Sequence, residues 1–393
     1  MSNTVIVVPT YWTWGGERAD GPVEAIYDHP TPLDGPSTLP RLLDSLVKLE
    51  GPPFGVLVLT AAVHSDLEEA AAQRMEALIR PYRQHFPIVQ FAADDLRLLR
   101  ERVAAAGFDP ALVALRNYAS VRNCQLIVPH LLDSEVVVAL DDEVVEPNYL
   151  RIATEFVGEE RPGIGGFYLD RHGNPLLPEG EPTSNPFLDK SILMNQAART
   201  LQAVPGRLVP TPVAYGGNMV FHRSLWERVS FDPHITRGED IDYLINARLR
   251  GLGFFFDKKL TITHLPPEAY DEPPYAKLAQ DVVRFIYERG KLLAARERPE
   301  FAPLEPEALD PYPGRLLRED VADQALEALQ RLATPKTVIR YGSPGEIVAA
   351  AERRAREAPP RYFEFARMWP RLLEALGRDR ALRDHWRSRW AAD

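Results

Sequence analysis

The chain has 393 residues, 46 Lys and Arg against 56 Asp and Glu, a formal net charge of -10 and 45% hydrophobic residues. That is enough apolar material for two or three domains, or for one large α/β domain with an appendage, and it excludes a disordered or collagen-like chain. The acidic balance argues against a protein that grips a nucleic-acid backbone, because such affinity comes from clustered Lys and Arg. The single cysteine, Cys124, allows no internal disulfide and no cysteine-built zinc site. This suits a reducing compartment, so a cytoplasmic location is expected. The amino-terminal segment to Val8 does not have the pattern of a signal peptide. No apolar run approaches the about 18 residues needed to span a membrane.

In chain order, Val5 to Val8 is an unbroken β-branched run that stops at Pro9 and reads as a strand buried on both faces. Gly55 to Leu59 and Glu135 to Leu140 are two more. Between them, Ser65 and Glu68 stand at capping-box spacing and open a helix to about Ile79, Asp94 caps a helix running toward Gly107, and a third helix spans Leu115 to Leu131. Strands alternating with helices predict a mostly parallel sheet with right-handed crossovers. Residues 170–216 read as a long loop with one helix near Ser191 to Leu201, and a loop of that length is usually functional. A short strand follows from Gly217 to Phe221, then a helix from Glu239 to Leu249, then a strand within Phe254 to Thr263. Beyond Pro266 the pattern is helical, at Tyr275 to Arg296, Glu319 to Leu332 and Gly345 to Arg356. The boundary between residues 1–265 and a helical region 266–393 is expected at Pro266-Pro267.

Ligands of open parallel sheets bind beyond the carboxyl ends of the strands. That directs attention to Pro9-Thr10-Tyr11, to residues 60–66 and to Asp141-Asp142-Glu143. Three adjacent carboxylates at a strand end repel one another and are easiest to keep where a cation offsets the repulsion. Strand alternation lets Asp141 and Glu143 reach one side while Asp142 points to the other. An idle, solvated acidic turn is the plain alternative. Downstream stand Gly216-Gly217-Asn218, Phe231-Asp232 and Glu239-Asp240-Ile241-Asp242. The glycine pair suggests close approach of backbone to a ligand, or an ordinary turn. Thr236 and Glu239 also stand at capping-box spacing, and Asp240 in a first helical turn complements the helix dipole.

With Val136 to Leu140 leading into the acidic triplet and Arg122-Asn123 upstream, the order of these motifs resembles the inverting GT-A glycosyltransferases of family 2, over about Thr4 to Leu265. The resemblance implies a Rossmann-like α/β domain, with a mostly parallel central sheet flanked by helices, that binds a nucleotide sugar (UDP- or GDP-sugar). It implies Mn²⁺ or Mg²⁺ held by Asp141, Glu143 and His264, and a catalytic base in the Glu239-Asp240 pair, of which Asp240 is the choice. The donor would be contacted by Pro9, Thr10, Tyr11, Asp66, Arg122, Asp141, Asp142, Gly216 and Gly217. The sequence departs from the pattern where the metal motif ends in Glu143, where Asp66 stands in for a carboxylate after the second strand, and in a long first loop from Tyr11 to Pro36 that carries Trp12, Trp14, Tyr27 and His29. The aromatics there could stack on a sugar or base, or pack in the core. The expected activity is metal-dependent transfer of a sugar to a hydroxyl of a small or glycan acceptor. The helical region is expected either to cover the acceptor side or to make a homodimer. The alternatives are a retaining enzyme of the glucosyl- or mannosylglycerate type, a non-catalytic nucleotide-sugar binding protein and a nucleotidyltransferase. Phosphate loops, dinucleotide fingerprints, zinc-protease and hydrolase motifs are absent from the sequence.

Overall fold

The computed structural model describes residues 3–16, 21–25, 27, 30–141, 143–265 and 274–391. Its strands are β1 (Thr4–Thr13), β2 (Thr31–Pro32), β3 (Phe54–Ala62), β4 (Ile88–Phe91), β5 (Val136–Leu140), β6 (Gly163–Leu169), β7 (Leu208–Pro210), β8 (Asn218–His222) and β9 (Phe254–Thr263). The helices of the first two thirds are α1 (Leu39–Leu46), α2 (Glu68–Ile79), α3 (Ala93–Ala105), α4 (Tyr118–Leu131), α5 (Tyr149–Glu155), α6 (Lys190–Ala203), α7 (Arg223–Trp226) and α8 (Glu239–Leu249). The last third is helical: α9 (Pro274–Arg296), α10 (Val321–Leu332), α11 (Pro335–Tyr341), α12 (Pro344–Glu357), α13 (Pro359–Arg378) and α14 (Arg380–Ala391).

The strands form one mixed sheet in the order β4-β3-β1-β5-β8-β6-β9-β7, with β2 on β1. The uninterrupted run of β1 has a direct cause. Val5 and Val7 point into one hydrophobic cluster and Ile6 and Val8 into another, and all four are fully buried. The sheet is therefore covered on both faces, which is why alternation of polarity is missing from its central strands. One layer contains α1, α2 and α5. The other contains α3, α4, α8 and the carboxyl-terminal helices, which share a continuous core with the sheet.

Pairing of β1 with β3 and β5, and of β3 with β4, is parallel. Strand β8 is antiparallel to both β5 and β6, and β9 is parallel to β6. The carboxyl ends of β1, β3, β5, β6 and β9 and the amino end of β8 thus meet at one edge of the sheet. The chain order reverses between β1 and β5, a switch point where such sheets open a crevice.

Several local expectations are corrected. Strand β1 continues through Pro9 to Thr13: β5 pairs only with Thr4 to Val7, so Pro9 lies where one edge of β1 is no longer bonded to β5, a position that tolerates proline. Ser65 does not cap α2. A 3₁₀ turn over Ser65–Leu67 intervenes, capped by His64, and the Ser65 hydroxyl donates to Glu24. In α3 it is Asp95, not Asp94, that accepts the Ala92 N–H, at 2.9 Å. The expected boundary at Pro266-Pro267 lies outside the described residues.

Candidate active site

The crevice is a cavity of about 1180 Å³ lined by Pro9, Thr10, Tyr11, Arg122, Asp141, Glu143, Gly216, Glu239, Asp240 and His264 among others. Each element delivers its group for a simple reason. Asp141 follows the last buried residue of β5, and α4 passes behind it with Arg122 buried at 4% exposure. Arg122 Nη2 donates to Asp141 Oδ1 at 2.8 Å, and its Nε faces Glu239 Oε1 at 3.4 Å. One guanidinium thus ties the acid loop to the start of α8. The neighbouring Asn123 is structural: its side-chain amide donates to Phe231 O at 2.9 Å and accepts the Phe231 N–H at 2.8 Å, fixing the chain that leads into α8.

Helix α8 begins at Gly238, in the left-handed region with φ of 68° and no side-chain cap. The expected capping box of Thr236 and Glu239 is absent. Instead the Glu239 carboxyl turns toward Arg122 and is pushed up to about 7, chiefly by burial, against the opposing pull of Arg122 and with the help of Asp240. Asp240 is half-buried. Its Oδ2 accepts the Gly216 N–H at 3.0 Å and its Oδ1 the Ile241 N–H at 2.8 Å. Asp242 faces away and is fully buried, where Lys291 of α9 bonds it together with Asp232 and Asn246.

The glycine pair is explained by crowding within the protein itself. A Cβ on Gly217 would lie 2.6 Å from the Tyr168 hydroxyl and 2.9 Å from Asp141 Oδ2, and one on Gly216 would lie 3.0 Å from Arg122 Nη2. Absence of a side chain lets this turn close over Asp141 and Asp240. Asn218, the next residue, is buried and bonds Tyr149, Phe167 O and Leu260 O, stapling three elements beneath the turn.

The expected metal trio reaches one rim, but its members are engaged with protein partners. Glu143 is buried; one oxygen bonds His264 Nδ1 and the other accepts the Leu265 N–H at 3.2 Å. His264 also stacks on Tyr168, with centroids 5.0 Å apart. Among the described residues there is no group of three or more His, Cys, Asp or Glu able to hold a metal ion. Asp142 lies outside the described residues. Among the described residues, an ion held by protein groups alone does not fit this arrangement. Asp141, with a one-third exposed side chain in the cavity, is the carboxylate of the trio with most access to a ligand.

Asp66 does not line the cavity; its side chain is 69% exposed beside His64. Thr10 does line it, but its hydroxyl donates to Leu59 O at 2.9 Å. Tyr11 stacks on Tyr27 at 4.3 Å and meets Tyr118 edge-on at 5.0 Å, while its buried hydroxyl has no hydrogen-bond partner among the described residues. Trp12 and Trp14 are core residues, the Trp14 indole donating to Pro22 O at 2.8 Å. His29 lies outside the described residues.

Sequence reasoning missed Tyr168, which bonds the Gly217 N–H from the end of β6. The glycines of Gly163 to Gly166 hid that strand. It also missed Lys190, Arg237 and Arg284 on the cavity wall. Only the spacing of Asp281, Arg284, Glu288 and Lys291, one face of a helix, was a signal for the last.

No protein-family model matches the sequence, and no curated protein matches it. Solved structures with some similarity include a mannosyltransferase from Pyrobaculum calidifontis in complex with GDP-Man and Mn²⁺, at 14% identity and a TM-score of 0.46, covering 95% of this chain and 86% of that one. S. aureus TarS is 14% identical with a TM-score of 0.38; 90% of this chain is covered and 55% of TarS. A mycobacterial protein is 16% identical with a TM-score of 0.36, covering 72% of this chain and 74% of that one. The functional reading rests on the site itself.

Proposed function

We propose that this chain transfers a sugar from a nucleoside diphosphate sugar to an acceptor hydroxyl with inversion, in the manner of the GT-A enzymes its motifs resemble, with Asp240 as the base. The observation that carries this reading is the meeting of Asp240 with the Arg122–Asp141 pair in one cavity at the switch point of the sheet. Two backbone N–H groups fix the Asp240 carboxylate, so that it could take the acceptor proton as the hydroxyl attacks. Arg122 Nη1 and the Tyr11 hydroxyl, both buried without hydrogen-bond partners among the described residues, are donors suited to the oxygens of a diphosphate leaving group. A divalent cation would supply Lewis-acid stabilisation of that group, and Asp141, the carboxylate of the trio with most access to the cavity, would hold it.

Asp240→Asn should lower transfer by about 10²- to 10⁴-fold, the usual contribution of a general base, without unfolding the protein. Product NMR should report the anomer opposite to that of the donor. Retention, or turnover by Asp240→Asn near the wild-type rate, would remove the base assignment.

A further inference from the structure

The cavity contains a second set of cationic groups, separate from Arg122. Arg284 of α9 is 4% exposed; its Nε donates to Glu288 Oε1 at 3.0 Å, and its Nη2 has no hydrogen-bond partner among the described residues. Its guanidinium lies directly under the start of α8, where a Cβ on Gly238 would fall 2.0 Å from Cζ. A buried guanidinium is costly unless its donors are used. Lys190 of α6 bonds Asp281, and Lys190, Arg237 and Arg284 all line the cavity. The Lys190 ammonium is pushed down by burial first, against the opposing pull of Asp281, and the charges of Arg237 and Arg284 push it the same way as burial. Among the described residues, the acids set against Arg284 are Glu288, Asp240 and Asp281, and Asp281 is also the partner of Lys190. Burial pushes the Glu288 carboxyl up to about 7, against the opposing pull of Arg284.

We infer that the acceptor carries an anionic group, a carboxylate or a phosphate, bound by Lys190, Arg237 and Arg284. The inference rests on the transfer reading above. Arg122 Nη1 and the Tyr11 hydroxyl, without hydrogen-bond partners among the described residues, lie on the side of β1 and β5, whereas this cluster is built by α6, the chain before α8, and α9. Asp240 lies between them: its Oδ2 accepts the N–H of Gly216, on which a Cβ would fall 3.0 Å from Arg122 Nη2, and Gly238, two residues before it, packs against the Arg284 guanidinium. An acceptor anchored by its anion at Arg284 would present a hydroxyl to the Asp240 carboxylate.

The test is thermal melting of the full chain in inorganic phosphate and, separately, in acetate, at ionic strength matched with potassium chloride. At least one should give a saturable rise in Tm that persists when a nucleoside diphosphate is saturating. Arg284→Gln should weaken the apparent affinity for that anion at least tenfold while keeping the nucleotide response. Lys190→Gln, a second variant whose side chain is 29% exposed, should do the same if Arg284→Gln fails to fold. An anion response unchanged in Lys190→Gln, no saturable response to either anion, or loss of the response once nucleotide is bound would overturn the inference; the last would give the cluster to the donor. If no nucleoside diphosphate shifts the melt, the transfer reading fails by itself, whatever the anions do.

Discussion

Two cations on α9, seven residues apart, sit in opposite situations. Lys291 is fully buried, and its ammonium meets Asp232 at 3.1 Å, Asn246 Oδ1 at 2.9 Å and Asp242; Asp232 also accepts the Tyr287 hydroxyl at 2.5 Å. Arg284 is nearly as buried, yet one of its nitrogens has no partner among the described residues and its side chain borders the cavity. Burial alone does not separate structural charges from functional ones. Satisfaction does: a closed network holds two helices together, whereas an open one has donors left for a ligand. The same contrast applies within α8, where Asp242 belongs to the closed network and Glu239 and Asp240 face the cleft.

The contrast breaks most visibly at Lys291. Lys291→Met strands the Asp232 and Asp242 carboxylates in the core and should cost about 3–5 kcal/mol of stability, the usual penalty for removing one partner of a buried pair. Chemical denaturation would measure it; a loss under about 1 kcal/mol would mean the network is not closed.

A smaller effect sharpens the other side. Glu239 holds its proton up to about pH 7 in the folded chain, against an ordinary value of 4.5. The stability this proton contributes is present in full below about pH 4.5 and is lost as pH rises through about 7. Glu239→Gln should therefore reduce the fall in stability between pH 5 and pH 8 by on the order of 2–3 kcal/mol. Asp242 and Glu288, also raised by burial, keep their own pH dependence in that variant. Melts of both proteins across this range decide the point, and parallel curves would contradict it. The smallest effect is expected at exposed Asp66: Asp66→Asn should change stability by no more than about 0.5 kcal/mol and leave nucleotide affinity unaltered. A large loss of nucleotide binding would restore it to the donor site.

How much of this was legible in the sequence follows the same division. The buried strands β1, β3 and β5 announced themselves through β-branched runs, and α8 through the acids that open it and the glycine that follows. Arg122, Asp141, Gly216, Glu239 and Asp240 could be named because each lies at the end of an element or in a motif. The capping assignments failed because several side chains compete for the same free N–H groups: His64 and Asp95 took the positions expected of Ser65 and Asp94, and Arg122 drew Glu239 away from the helix start. The glycine pair reads in the sequence as close approach to a ligand or as an ordinary turn; the structure adds that Tyr168 and Asp141 crowd Gly217. Tyr168 was hidden in a glycine-rich strand. Arg284 was hidden because its pairing with the start of α8 is a contact between positions far apart in the chain, and no local pattern records such a contact.

The most direct test of the central claim is a calorimetric titration of UDP, GDP, ADP and dTDP, each with Mn²⁺, into the wild-type chain and into Asp141→Ala. The account predicts that one nucleoside diphosphate binds the wild type and that its metal-dependent affinity collapses in Asp141→Ala. Equal binding to both proteins, or no binding of any of the four, would contradict it.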